Sequence, residues 1–182
     1  MNRRAAIAAA AGLVCLGATA VAAHYGMRAP ESADRPVWHE AAWTPPIDNW
    51  GTGLSFVCDN AACPGGVRMF ARTKVGFCNC FSGVADDDEI DRIGDVDLHG
   101  GAYKPIEAGQ VTVVGDLKGR KRLFQIQNRW AGGRQVLSIV VASDCKAVVA
   151  TLVSGSPISP SMESTAVAVL RERPFQQWAA AQ

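Results

Sequence analysis

Histidine is scarce in this chain: His24, His39 and His99 are the whole supply among 182 residues. Only His99 falls in the body of the sequence, between Leu98 and Gly100-Gly101, where it reads as part of a turn. No Gly-x-Ser-x-Gly occurs, so the elbow that presents a hydrolase serine has no candidate. Ser154-Gly155-Ser156 follows an apolar run with no base nearby and reads as a turn. Phosphate-cradling loops are also missing, because Gly115-Asp116-Leu117-Lys118-Gly119-Arg120 lacks the required spacing. Within that stretch Gly119 reads as a hairpin turn. The acids from Asp86 onward place Asp91 where an EF-hand loop needs glycine, which excludes that calcium loop. The net charge of +1, with 19% charged residues, argues against general binding to nucleic acid or anionic lipid.

What is present begins with an address. Arg3 and Arg4 precede an uncharged run from Ala5 to Ala23, the pattern of a segment handed to a membrane translocation machine. Ala20-Val21-Ala22 supplies the small residues a signal peptidase accepts, placing cleavage before Ala23. The same run is long enough to remain as a spanning helix, though alanine gives it weak transfer energy. Residues 1–23 are therefore expected to be a signal peptide or a transmembrane anchor. Either way the rest of the chain faces the periplasm or the exterior, since the positive end stays inside.

Residues 24–50 read as an extended arm. Pro30, Pro36, Pro45 and Pro46 block helix and ladder formation, while Trp38, Trp43 and Trp50 stand with little aliphatic company. The expected use of these tryptophans is to strap the arm across the domain or across a protein partner, which makes them the candidate partner contacts. Residues 51–182 suit a single domain with one core.

The domain reads as α+β: an antiparallel sheet with one or two C-terminal helices packed on it. Strands are predicted at Leu54–Cys58, Val67–Arg72, Lys74–Phe81, Val111–Val114 and Arg122–Gln127. A valine-rich hairpin is predicted from Val136–Ala142 and Cys145–Val153, turning at Ser143-Asp144. Asp86 can cap a short helix over Ala85–Ile93 that Gly94 ends. Ser159 and Pro160 begin a C-terminal helix with Met162, Ala166, Val167 and Leu170 on one face. Pro174 interrupts it before a last turn carrying Phe175 and Trp178. Seven acids within Asp86–Asp97 and six bases within Lys118–Arg134 are expected to be solvated faces, neighbours in the fold, with two-sided docking to a charged partner as the sharper alternative.

The cysteines are read through the compartment. In an exported domain Cys58, Cys63, Cys78 and Cys80 are disulfide candidates, with Cys58 and Cys63 expected to bond to Cys78 and Cys80. Such loops of about 15–22 residues would contribute ~3 kcal/mol in the chain-entropy model. Cys145 is then left over, as a buried or free thiol. A Zn²⁺ or Cu⁺ site on the same four sulfurs is the rival, weakened by the single residue between Cys78 and Cys80. Thiol exchange by that pair is a third option, lacking a helix N-terminus to activate it. A dyad of His99 with Cys78 or Cys80 is the one thiol catalyst that can be drawn, and nothing else supports it.

Together these features predict a non-catalytic, exported accessory or binding subunit at or near the outer face of a membrane. It would work within a larger membrane or periplasmic assembly, with protein partners, no cofactor and no nucleic acid. The alternative is a periplasmic thiol-redox or copper/zinc-handling protein built on the 58–80 cysteine cluster.

Overall fold

The backbone of β3 (Val67–Val75) shows how the sheet is built, because its alternate side chains are buried on both faces. Val67, Met69 and Ala71 point to one side, and Phe70, Arg72 and Lys74 to the other. The computed structural model describes residues 35–76, 84–127, 133–143 and 145–181, which lie in one compact unit. The leader over residues 1–23, the first part of the arm, and Cys78 and Cys80 lie outside the described residues.

Around β3 the remaining strands are β1 (His39–Ala41), β2 (Leu54–Cys58), β4 (Ala102–Pro105), β5 (Gln110–Val114), β6 (Leu117–Gln127), β7 (Arg134–Ser143) and β8 (Lys146–Ser154). They pair antiparallel in the order β1-β2-β3-β8-β7-β6-β4, and β5 also pairs with β6. The helices are α1 (Asp87–Ile93), α2 (Pro160–Arg171) and α3 (Arg173–Ala181), with a 3₁₀ turn at Val96–His99. The α+β architecture with two C-terminal helices is thus present.

Each face has its own cover. On the first, Met162, Ala166 and Leu170 of α2 and Phe175 of α3 bury Met69, Leu137, Ile139, Val141, Ala150 and Leu152. On the second, Ile90 and Ile93 of α1 cover Val140, Ala147 and Val149. Val96 joins Phe124, Ile126 and Val136 in a third cluster on that same side. Two-sided cover explains why β7 and β8 are continuous apolar runs, although antiparallel strands usually alternate.

The local signals behave as their chemistry requires. Asp86 Oδ1 accepts from Glu89 N–H at 2.9 Å, and Glu89 Oε2 accepts from Ala85 N–H at 3.0 Å. Ser159 caps α2 through Met162 N–H at 3.2 Å, with Pro160 in the first turn. Two local expectations are corrected. β3 runs unbroken through Thr73 to Val75, because it pairs with β8 along its full length. Gly119 lies inside β6, paired with Thr112 and Val141, and the turn is at Gly115-Asp116. A Cβ at Gly119 would stand 1.8 Å from Val140 O, so a close backbone approach requires that glycine.

The acidic and basic stretches are neighbours and pair directly. Arg120 Nη2 donates to Asp87 Oδ1 at 2.6 Å, and Arg122 Nη1 to Asp91 Oδ1 at 2.8 Å. These pairs tie α1 to β6, while Lys121, one residue out of phase, reaches Glu163 of α2 on the opposite face.

Candidate functional site

The arm wraps the β2 edge of the sheet from one face to the other. Trp38 packs on the first face and donates from Nε1 to Thr165 Oγ1 of α2 at 3.1 Å. β1 then pairs with β2, and the chain passes to the second face. There Trp43 sets its edge against Phe70, with ring centroids 5.6 Å apart. Trp50 lies over Lys74 Nζ at 5.7 Å and stays 42% exposed. The tryptophans thus strap the arm to the chain's own sheet, as the intervening prolines favour.

A buried charge network fastens this strap. Arg72 is 1% exposed and uses all five N–H groups. Nε and Nη2 donate to Asp95 at 2.6 and 2.7 Å; Nη1 and Nη2 donate to Asp48 at 2.6 and 2.8 Å; Nη1 also reaches Gly51 O at 3.1 Å. Lys74 Nζ contacts the Asp95 carboxylate and donates to Ile93 O at 3.0 Å. Two cations meet two carboxylates, so the cluster is neutral as a unit, which is what burial requires. Hydrogen bonding to Arg72 lowers the pKa of Asp48 to about 2. Burial by itself lowers the pKa of Arg72, but Asp95 and Asp48 more than offset that and raise it.

Asp95 sits in the left-handed region at φ 58, which an aspartate tolerates. That conformation turns the chain from α1 into the 3₁₀ turn, and Ser138 Oγ donates to Gly94 O at 2.8 Å to hold it there. The turn delivers His99 to Thr151, with Nε2 and Oγ1 2.7 Å apart, and stacks the imidazole on Phe70 at 5.3 Å. Burial lowers the His99 pKa to about 4, against the weaker opposite pull of Asp95 and Asp97, so it is neutral at pH 7. His99 is thus committed to Thr151 and Phe70.

Beside this network lies a cleft of about 640 Å³. Pro45 and Pro46 of the arm line one side, Gly65, Gly66 and Gly155 line the loops, and Phe70, Leu98, His99 and Val153 contribute ring and aliphatic surface. Two arginines, Arg68 and Arg134, also line it. Both are exposed, and neither has an ion-pair partner among the described residues. The register sets their relation. Arg68 pairs with Val153, Val153 with Val136, and Arg134 lies two residues before Val136, so both arginines leave the same face. Two strand spacings of ~4.8 Å and two residues of ~3.3 Å put their Cα atoms about 12 Å apart. A second hollow of about 340 Å³ differs in that its cations, Lys121 and Arg122, are already paired.

The cysteines depart from expectation. Cys58 bonds to Cys63, with Cα atoms 5.9 Å apart. Cys58 ends β2, and the turn made by Cys63 N–H to Asn60 O at 2.9 Å brings the second sulfur back beside the first. Local chain reversal thus wins over cross-pairing with Cys78 or Cys80. The short loop is worth about 2 kcal/mol in the chain-entropy model, less than the larger loops would have given. The bond anchors the hairpin turn that supplies Gly65 and Gly66 to the cleft. Cys145 is disulfide-bonded and is not the free thiol expected of it. It lies in the β7–β8 turn at φ 63, just before β8 begins at Lys146. With Cys58 and Cys63 bonded to each other, a metal set that needs both as thiolates is not assembled here.

Neither the charge network nor the shared cleft of Arg68 and Arg134 was legible in the sequence. The available signal was Phe70, Arg72 and Lys74 sharing one side of a strand whose other side is apolar. No protein-family model matches the chain, and no curated protein is significantly similar to it.

Proposed function

We propose that this chain is an exported, non-catalytic binding domain that serves as an accessory subunit of a larger membrane or periplasmic assembly. Residues 5–23 hold it at the outer face of the membrane where they are retained, and release it where they are cut. The observation that carries the binding role is the cleft with Arg68 and Arg134 in its lining. Its walls are fixed by the Arg72 network, the Cys58–Cys63 bond and the strapped arm. Fixed walls lower the ordering cost of binding, and two cations without an ion-pair partner among the described residues keep their charge for a ligand.

Two measurements test this in the full chain made in cells. A C-terminal reporter active only outside the cytoplasm is expected to be active; an inactive reporter overturns the export half. Photo-crosslinking residues at Thr44 and Gly155 in the cleft, and at Ala168 on the opposite face, test the binding half. Adducts from the cleft positions alone support the proposal. No adducts, or equal adducts from all three positions, refute it.

A further inference from the structure

We infer that the cleft takes a small amphiphile with an oxyanion head, a carboxylate or a phosphate, held between Arg68 and Arg134 with its apolar body along Val57, Phe70 and Val153. This rests on the proposal that the cleft is the binding surface, and it adds the chemistry of the occupant.

The head group follows from the cations. Arginine presents a planar fork of donors that matches carboxylate and phosphate oxygens. Arg68 and Arg134 leave the same face of the same end of the sheet, about 12 Å apart at Cα by the strand geometry above, with Val153 between their strands. Side chains as long as arginine's can converge on one anion across that gap. Elsewhere on this face the guanidinium groups already have acids: Arg72 has Asp48 and Asp95, Arg120 has Asp87, and Arg122 has Asp91 and Asp87. Arg68 and Arg134 are the two left over among the described arginines of that face. Among the described residues no acidic side chain lines the cleft to compete with an incoming anion.

The body follows from the rest of the lining. Val57, Phe70, Leu98 and Val153 are apolar, and Pro45 and Pro46 add carbon surface without a donor N–H. His99 is neutral and already bonded to Thr151, so it adds a ring face rather than a second charge. The volume of about 640 Å³ falls in the range of small-molecule sites. A polar sugar would leave most of this lining unsatisfied, and a bare inorganic ion would leave it wet.

The test is calorimetric titration of the purified full chain with hexanoate, hexyl phosphate, inorganic phosphate and hexyl glucoside. One or both hexyl anions are expected to bind saturably at one site. Hexanoate alone identifies a carboxylate head, hexyl phosphate alone a phosphate head, and both a site that reads only the shared oxyanion. Inorganic phosphate is expected to bind at least ~10-fold more weakly than the better hexyl anion, and hexyl glucoside not measurably. Arg68→Gln and Arg134→Gln are each expected to weaken the anion about 10-fold or more, and the double variant to abolish binding. Lys104→Gln, on exposed β4, should leave binding unchanged. Both arginines are exposed and without ion pairs among the described residues, so the variants should keep the parent's unfolding temperature, which separates lost binding from lost folding. Absence of saturable binding by either hexyl anion, or undiminished binding in the double variant, overturns the inference. If cleft crosslinks persist in that case, the binding-domain proposal survives and only the ligand class is wrong.

Discussion

Asp95→Asn is the sharpest test of the network that shapes the cleft. Asp95 is 7% exposed and is the carboxylate shared by Arg72 and Lys74, both also buried. Asparagine has nearly the same shape and tolerates the left-handed backbone, so φ 58 is kept while the charge and one acceptor oxygen are removed. A unit pair at 2.6 Å is worth roughly 6 kcal/mol at an effective dielectric of ~20, before desolvation. Arg72 keeps Asp48, but Lys74 loses the carboxylate it contacts and is left with Ile93 O, the Trp50 ring and the more distant charge of Asp48. The expected net loss is about 3–5 kcal/mol, the range for removing one partner of a buried pair. With a urea slope of about 2 kcal/mol/M, the unfolding midpoint should fall by roughly 2 M. Adding Lys74→Met to this variant should recover part of the loss, because the stranded charge disappears with the lysine. Asp97→Asn, two residues on and exposed, is the control and should cost under about 0.5 kcal/mol. A midpoint for Asp95→Asn indistinguishable from that control would refute the desolvated network.

His99 makes stability depend on pH in a defined window. Its folded pKa of about 4 lies below the unfolded 6.5, so the unfolded chain binds the extra proton between those values. Stability should therefore fall as pH drops from 6.5 to 4, by about 3 kcal/mol in all, and His99→Gln should flatten that slope in denaturant titrations. Asp48, lowered to about 2 by Arg72, acts below this window: its contribution is lost only as pH falls from 3.8 toward 2. Gly119→Ala should destabilise by about 3 kcal/mol, since its Cβ meets Val140 O. Gly115→Ala, at φ 60 with nothing within 4 Å, should cost only about 1 kcal/mol in thermal unfolding. Non-reducing peptide mapping should recover Cys58 and Cys63 in one linked fragment, and alkylation without reductant should leave Cys58, Cys63 and Cys145 unmodified. A free Cys145 would contradict the structure.

Much of the fold was legible in residues acting over a few positions. Asp86, Gly94, Ser159 and Pro160 bound their helices because capping is decided by neighbours two to four residues away. The valine runs of β7 and β8 showed a hairpin because apolar, β-branched residues on either side of a short polar turn have few other uses. The prolines and tryptophans of the arm indicated strapping because an extended chain with large side chains must lie on something. The candidate site was much less legible. Arg72 finds Asp48 and Asp95 at separations of 24 and 23 residues, and Arg68 and Arg134 reach one cleft only through two intervening strand pairings.

By itself the sequence determined most strand positions, the helix ends, the extended arm and the basic start with the uncharged run that follows it. Each follows from local sterics, hydrogen bonding or hydrophobic period. The tertiary structure decided which charges are buried as partners, which arginines remain without them, and which cysteine meets which. Those outcomes depend on distances between segments far apart in the chain, and a residue's own chemistry cannot set them. Gly119 shows the difference most simply. In sequence it is a turn former, and in the sheet it is the one residue small enough to let the Val140 carbonyl approach.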